Sequence, residues 1–141
     1  MKKIYFTLTV LCFTLLSYAQ ESPLWLRHCA ISPDGSEIAF CYKGDIFIVP
    51  STGGKAQQLT SNPAYDTAPV WSPDGKTLAF ASDRFGGMDL FIINRNGGEA
   101  KRLTTATTSE IPLAFKDNTE LLFTTNERPS VESMQFPSSQ F

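Results

Sequence analysis

Short apolar runs separated by turns rich in Gly, Pro, Asn and Asp occupy most of this chain, and none has the length or period of an amphipathic helix. Two runs, Ile46-Phe47-Ile48-Val49 and Leu90-Phe91-Ile92-Ile93, are apolar at every position. A strand of that kind must be covered on both of its faces. Between the runs, Ser32-Pro33-Asp34-Gly35 and Ser72-Pro73-Asp74-Gly75 have the composition of tight turns: Pro presets the first central position, Asp suits the second, and Gly closes. The pattern predicts strands over 27–32, 37–42, 45–50 and 56–60, then 68–72, 77–82, 89–94 and 100–104. Residues 61–67 read as the linker between the two sets.

The two sets are copies. Residues 30–40 return as 70–80 at a shift of 40, and Asp45 to Pro50 returns as Asp89 to Asn94 at a shift of 44. The extra residues fall at Arg84-Phe85-Gly86-Gly87, inside a turn. A third copy is worn: Leu113 to Phe123 aligns with Val70 to Phe80 at a shift of 43, with Lys116 for Pro and Asn118 for Gly. After Thr125 the pattern stops, and no clean third or fourth strand is expected there. A period of about 40–45 residues built from four short strands is that of a β-propeller blade. The expected fold is all-β: a partial β-propeller with blade 1 over about 27–60, blade 2 over about 68–104 and a partial blade 3 over about 111–141. Residues 20–141 supply fewer than three such blades, and closed rings use roughly 4 to 8. The chain is therefore expected to be an N-terminal piece of a longer protein, with assembly of several copies into one ring as the alternative.

Residues 1–19 read as a secretory signal peptide. Lys2 and Lys3 precede a mostly apolar run from Ile4 to Leu16, and Ser17-Tyr18-Ala19 supplies small residues before Gln20. The run is short of the ~20 residues of a membrane span, so the mature chain is expected to be exported, periplasmic or secreted, with no membrane span. The full sequence has 12 Lys and Arg against 14 Asp and Glu; without residues 1–19 it has 10 against 14, a net charge of −4. That balance offers no basic stripe for nucleic acid. Cys29 and Cys41 flank the first Ser-Pro-Asp-Gly turn. They read as two small buried side chains, with a disulfide across the hairpin as the alternative in an oxidising compartment.

The stretch Trp71-Ser72-Pro73-Asp74-Gly75-Lys76-Thr77-Leu78-Ala79-Phe80-Ala81-Ser82-Asp83-Arg84, continuing through Gly87-Met88-Asp89-Leu90-Phe91-Ile92, resembles the WD40-like repeat of TolB-type propellers. The resemblance covers residues 28–104 well and 111–125 loosely. Such repeats occur in TolB proteins of the Tol–Pal envelope system, in prolyl-oligopeptidase-like serine peptidases and in tricorn-like proteases. Blades that follow a signal peptide almost at once are most similar to the layout of an exported tricorn-like protease, and Glu132 to Pro137 is tricorn-like as well. The resemblance implies a non-catalytic propeller segment that gates or scaffolds peptide access, with proteolysis carried by a domain outside this chain and the remaining blades as its partners. The alternative it implies is a TolB-like propeller that binds proteins of the cell envelope.

The residues themselves supply no catalytic set. His28 is the single histidine, no serine lies in a Gly-x-Ser-x-Gly elbow, and a Ser–His enzyme needs nucleophile, base and orienting acid together. His28 and Cys29 are neighbours on a strand and point to opposite faces, which suits no shared ion. Asp45, Asp83 and Asp89 lack the spacing of a calcium loop. No metal and no cofactor is expected. The repeated positions Asp34, Gly35, Phe40, Asp45, Trp71, Asp74, Gly75, Phe80 and Asp89 read as structural. Asp34 and Asp74 satisfy turn amides, Asp45 and Asp89 cap backbone groups, Trp71 packs between blades, and Phe40, Phe80 and Phe123 are core. Asp83 and Arg84 are expected to form a local pair.

Overall fold

The computed structural model describes residues 25–126 and 131–136; the signal peptide expected over residues 1–19 lies outside them. Three antiparallel sheets follow one another. The first runs β1 (Arg27–Ile31), β2 (Glu37–Tyr42), β3 (Asp45–Pro50) and β4 (Gln57–Gln58), in that spatial order. The second repeats it with β5 (Asp66–Trp71), β6 (Thr77–Ser82), β7 (Asp89–Asn94) and β8 (Lys101–Arg102). The third sets β10 (Glu120–Thr125) between β9 (Glu110–Phe115) and β11 (Val131–Gln135). No helix occurs among the described residues. Strand β5 packs against β1 on one side and β9 on the other, so the first strands of successive sheets stand side by side. This is a partial β-propeller of two four-stranded blades and part of a third.

The middle strands β2, β3, β6 and β7 coincide with the expected bounds, and β2–β3 and β6–β7 pair in the same register four residues out of phase along the chain. The fourth strands are shorter than expected. Only two residues of each stay on the ladder, because the Thr60 hydroxyl takes the Ile46 amide and the Thr104 hydroxyl takes the Leu90 amide, each at 2.9 Å. Strand β5 starts at Asp66, inside the expected linker. The expectation that the pattern stops after Thr125 is overturned by β11, which pairs with β10 from Glu120↔Gln135 to Thr124↔Val131. Its sequence is too polar to announce a strand; backbone pairing and the inward Met134 and Phe136 hold it, both packed on the cluster of Leu121 and Phe123.

The cores lie between the sheets. Between blades 1 and 2, Ala39, Cys41, Ile46 and Ile48 on one sheet meet Leu78, Phe80, Phe91 and Ile93 on the next. Between blades 2 and 3, Ala79, Leu90 and Ile92 meet Leu121, Phe123 and Phe136. Blade 2 thus presents an aromatic face to blade 1 and a small or branched face to blade 3. All six residues of β6 are buried for this reason. Trp71 joins the first core and donates Nε1–H to the Ala30 carbonyl of blade 1 at 3.0 Å. Phe80 and Phe123 are buried, but Phe40 is not core as expected. It is half-buried and stacks on Phe47 at 5.7 Å, on a face of blade 1 that no described blade covers.

Each first strand carries a β-bulge, between Arg27 and Ala30, between Thr67 and Val70, and opposite Leu122 and Phe123. Bulges add twist and bend a strand, which suits the converging edge of a ring. The Ser-Pro-Asp-Gly turns close with Gly35 N–H on the Ser32 carbonyl (2.8 Å) and Gly75 N–H on the Ser72 carbonyl (2.9 Å). Both glycines have positive φ, 72° and 69°, where a Cβ would be strained.

The turn acids are held down by their own loops. Asp34 accepts from the Ser32 hydroxyl (2.6 Å) and from the Ser36 amide (3.0 Å) and hydroxyl (2.8 Å), which lowers its carboxyl to about 2. Burial pushes Asp74 up, but the Ser72 hydroxyl, the Lys76 amide and the Lys76 charge outweigh it and leave that carboxyl lowered. A folded-state value below the ordinary 3.8 means that the Asp34 contribution is complete above that value and is lost as pH falls through about 2. In a carboxyl-resonance titration of the whole protein, Asp34 should titrate near 2 and Ser32→Ala should move it up. An ordinary midpoint for Asp34 in the unaltered protein would show that these bonds do not hold.

Candidate functional site

The loops at the two ends of the strands differ in chemistry. At one end stand the turns of Asp34, Asp74 and Asp117, with Asp117 accepting from the Thr119 amide at 2.7 Å and hydroxyl at 2.8 Å. Asn118, where the earlier copies have Gly, accepts the Asp74 amide at 3.1 Å and so ties the turn of blade 3 to that of blade 2. A cleft of about 200 Å³ separates the first two turns, bounded by Ser32, Asp34, Glu37, Asp74, Lys76 and Arg95. Arg95 reaches across it to pair with Glu37 of blade 1. Glu37 is thus spent on Arg95, and Asp34 and Asp74 on the hydroxyls and amides of their own turns.

The opposite end is organised by a buried ion pair. Asp66, fully buried at the start of β5, donates its amide to the Gly44 carbonyl at 2.7 Å; Glu110 repeats that bond on Met88, also at 2.7 Å. The Arg84 guanidinium meets both Asp66 oxygens, at 3.1 and 3.2 Å, donates from Nε to the Ser82 hydroxyl, and lies 4.3 Å from the Phe91 ring. The expected Asp83–Arg84 pair does not form. Arg84 turns inward because Asp66 is a fully desolvated charge and needs a partner, while Asp83 accepts the Tyr65 amide at 2.7 Å.

Asp45 and Asp89 stand at the starts of β3 and β7, but the amides that follow them are taken by the threonines and not by the acids. Asp45 accepts instead from Gln58 Nε2 at 3.0 Å and Asp89 from Arg102 at 2.8 Å. Burial, with the Asp66 charge added, pushes the Asp45 carboxyl up. Burial also raises Glu110, with the Asp89 charge added and the Thr104 hydrogen bond opposing. Arg102 lies 4.3 Å from the ring of Phe85, which stacks on Phe91.

At this end, Trp25, Arg27, Cys41, Lys43, Gly44 and Tyr65 line an open cavity of about 510 Å³ where blade 1 meets the linker to blade 2. The bulge of β1 and the Lys43-Gly44 turn, both with positive φ, shape its walls. The Arg27 guanidinium sits 5.2 Å from the Trp25 ring and the Lys43 ammonium 5.3 Å from the Tyr42 ring. Cys41 lies buried at its edge, a free thiol that burial pushes up, and Cys29 is free and exposed in the bulge.

His28 sits exposed in that bulge at φ 51°. Among the described residues no group of three His, Cys, Asp or Glu side chains could hold a metal ion. Of the nine repeated positions, Trp71 and Phe80 lie in the seam between blades 1 and 2, Asp34, Gly35, Asp74 and Gly75 in the turns at one end, Asp45 and Asp89 at the other, and Phe40 on the uncovered face of blade 1. Asp66, Thr60, Thr104, Arg102 and the cavity residues escaped the sequence reading. Leu59-Thr60 and Leu103-Thr104 do recur at a shift of 44, the one signal that could have found the threonines.

A family model described as the tricorn protease N-terminal β-propeller domain matches residues 23–138. An uncharacterized peptidase, YuxL of Bacillus subtilis, is 38% identical over 84 residues, 52% of this chain and 13% of that protein. The Tol–Pal system protein TolB of Bordetella pertussis is 39% identical over 56 residues, 39% of this chain and 13% of its own length. The chain thus spans little more than a tenth of these curated relatives. The solved structure of a putative TolB from Agrobacterium tumefaciens superposes with a TM-score of 0.73 at 22% identity, over 82% of this chain and 47% of that one.

Removing the Arg84 guanidinium leaves a buried carboxylate alone, so Arg84→Ala should destabilise the protein by about 3–5 kcal/mol in urea denaturation. Adding Asp66→Asn should recover part of that loss. A single-variant loss below ~1 kcal/mol, the range of an exposed pair, would show that the pair is not buried in solution.

Proposed function

This chain belongs to the family of tricorn protease N-terminal β-propeller domains, and from that premise we propose that it is a non-catalytic propeller segment of an exported tricorn-like protease. Its role in this reading is to gate or scaffold the access of peptides to a proteolytic domain outside these residues. The family match over residues 23–138 is the observation that carries it. The uncovered aromatic face of blade 1, with Ile38, Phe40, Tyr42, Phe47 and Val49 only half-buried, supports further blades as partners, because a face of this kind needs cover. The proposal places the protein outside the cytoplasm on the pattern of residues 1–19, and mature protein starting at Gln20 is its expected mark.

A second reading, a TolB-like propeller that binds an envelope protein, is favoured by the 39% identity to TolB over 56 residues. The two separate in one experiment. The protein, isolated at its natural length, is incubated with fluorogenic unstructured peptides and with envelope extract. Saturable peptide binding with cleavage confined to unstructured chains is the expected result. Stable capture of a folded envelope protein, with no peptide bound or cleaved, would transfer the assignment to the TolB-like reading.

A further inference from the structure

The cavity where blade 1 meets the linker to blade 2 combines three properties that its surroundings do not share. Its two cations are unpaired: the ion pairs among the described residues engage Arg84, Arg95, Arg102 and Lys116, and leave Arg27 and Lys43 out. Each acid near it has its own partner, Asp66 in Arg84, Asp83 in the Tyr65 amide, and Asp45 in Gln58 and Thr60, so none is bonded to Arg27 or Lys43. Its aromatic rings face solvent, with Trp25 70% and Tyr65 42% exposed. Exposed Trp and Tyr beside an uncommitted Arg form the combination that anchors partners at interfaces.

The backbone is strained at the same place. Trp25 has φ 84°, an unusual value for a bulky side chain, and His28 beside Arg27 has φ 51°. Strain of this kind persists where the surroundings enforce it, and it gathers at ligand clamps. At about 510 Å³ the cavity is in the range of sites that hold a few residues or a small molecule. It opens at the end away from the turns of Asp34, Asp74 and Asp117. The two charged side chains in its lining, Arg27 and Lys43, are both cations, which favours an anion in contact with them.

We propose that this cavity receives an acidic, aromatic-bearing segment of an extended peptide, its carboxylates on Arg27 and Lys43 and its ring against Trp25 and Tyr65. The inference rests on the peptide-binding role proposed above and names the class of peptide. Charge complementarity selects the acid, and the exposed rings select the aromatic.

The test uses fluorescence anisotropy on the whole protein with three labelled peptides of about ten residues, alternating Phe with Glu, Ser or Lys. The Glu peptide should bind at least ~10-fold tighter than the Lys peptide, and raised salt should narrow that gap. The double variant Arg27→Glu, Lys43→Glu should lose the preference for the Glu peptide. Lys55→Glu, in the β3–β4 turn at the other end of the strands, should keep it, and circular dichroism checks that both variants fold. Equal binding of all three peptides, or a preference that survives the double variant, overturns the acidic assignment and leaves peptide binding standing. Failure of every peptide to bind overturns the peptide-binding role itself and this inference with it.

Discussion

An aromatic sheet face laid on a small one is the contact from which the rest of this structure follows. Leu78, Phe80, Phe91 and Ile93 have no exposure to spare, and the row that receives them is Ala39 and Cys41 flanked by Ile46 and Ile48. Two aromatic faces opposed would hold the sheets too far apart for their polar ends to meet, and two small faces would leave voids that dense packing does not tolerate. Alternation of bulk lets the sheets approach closely enough for Trp71 to reach the Ala30 carbonyl and for Asp66 to reach the Gly44 carbonyl.

Those backbone and side-chain bonds then decide where polar chemistry is available. Inside the seam, charge survives only when it is neutralised, as with Arg84 on Asp66 over the Phe91 ring. At the end that carries the Ser-Pro-Asp-Gly turns, Asp34, Asp74 and Asp117 are absorbed by their own loops, and Glu37 by Arg95 of the next blade. At the other end, the bulge of β1 and the Lys43-Gly44 turn bring two cations, Arg27 and Lys43, to one cavity beside exposed rings, and no ion pair among the described residues engages either.

The sequence showed the fold well and the site poorly, for a physical reason. Repeats expose what every blade needs, so the turns of Gly35 and Gly75 and the middle strands could be placed to the residue. What differs between blades cannot be read by comparing them. Asp66 has no counterpart acid in the first copy, and its partner Arg84 lies in the inserted turn, so adjacency suggested Asp83 in place of the true contact. Strand β11 was hidden because its side chains are mostly polar and its place is fixed by hydrogen bonds to β10, which carry no residue code. Trp25, Arg27, Lys43 and Tyr65 are scattered over 40 positions, and only folding gathers them.

The unequal faces of the blade also give the stack a direction. A copied blade inserted between two others arrives with an aromatic side that fits the small side before it and a small side that fits the aromatic side after it. Duplication of about 40 residues of gene therefore yields a contact that is already complementary on both flanks. A blade inserted in the reverse sense would match neither. Such a module can multiply without redesign, and the drift seen in the third copy, where Asn118 has taken a bond that glycine could not make, shows how copies diverge once the seam is secured.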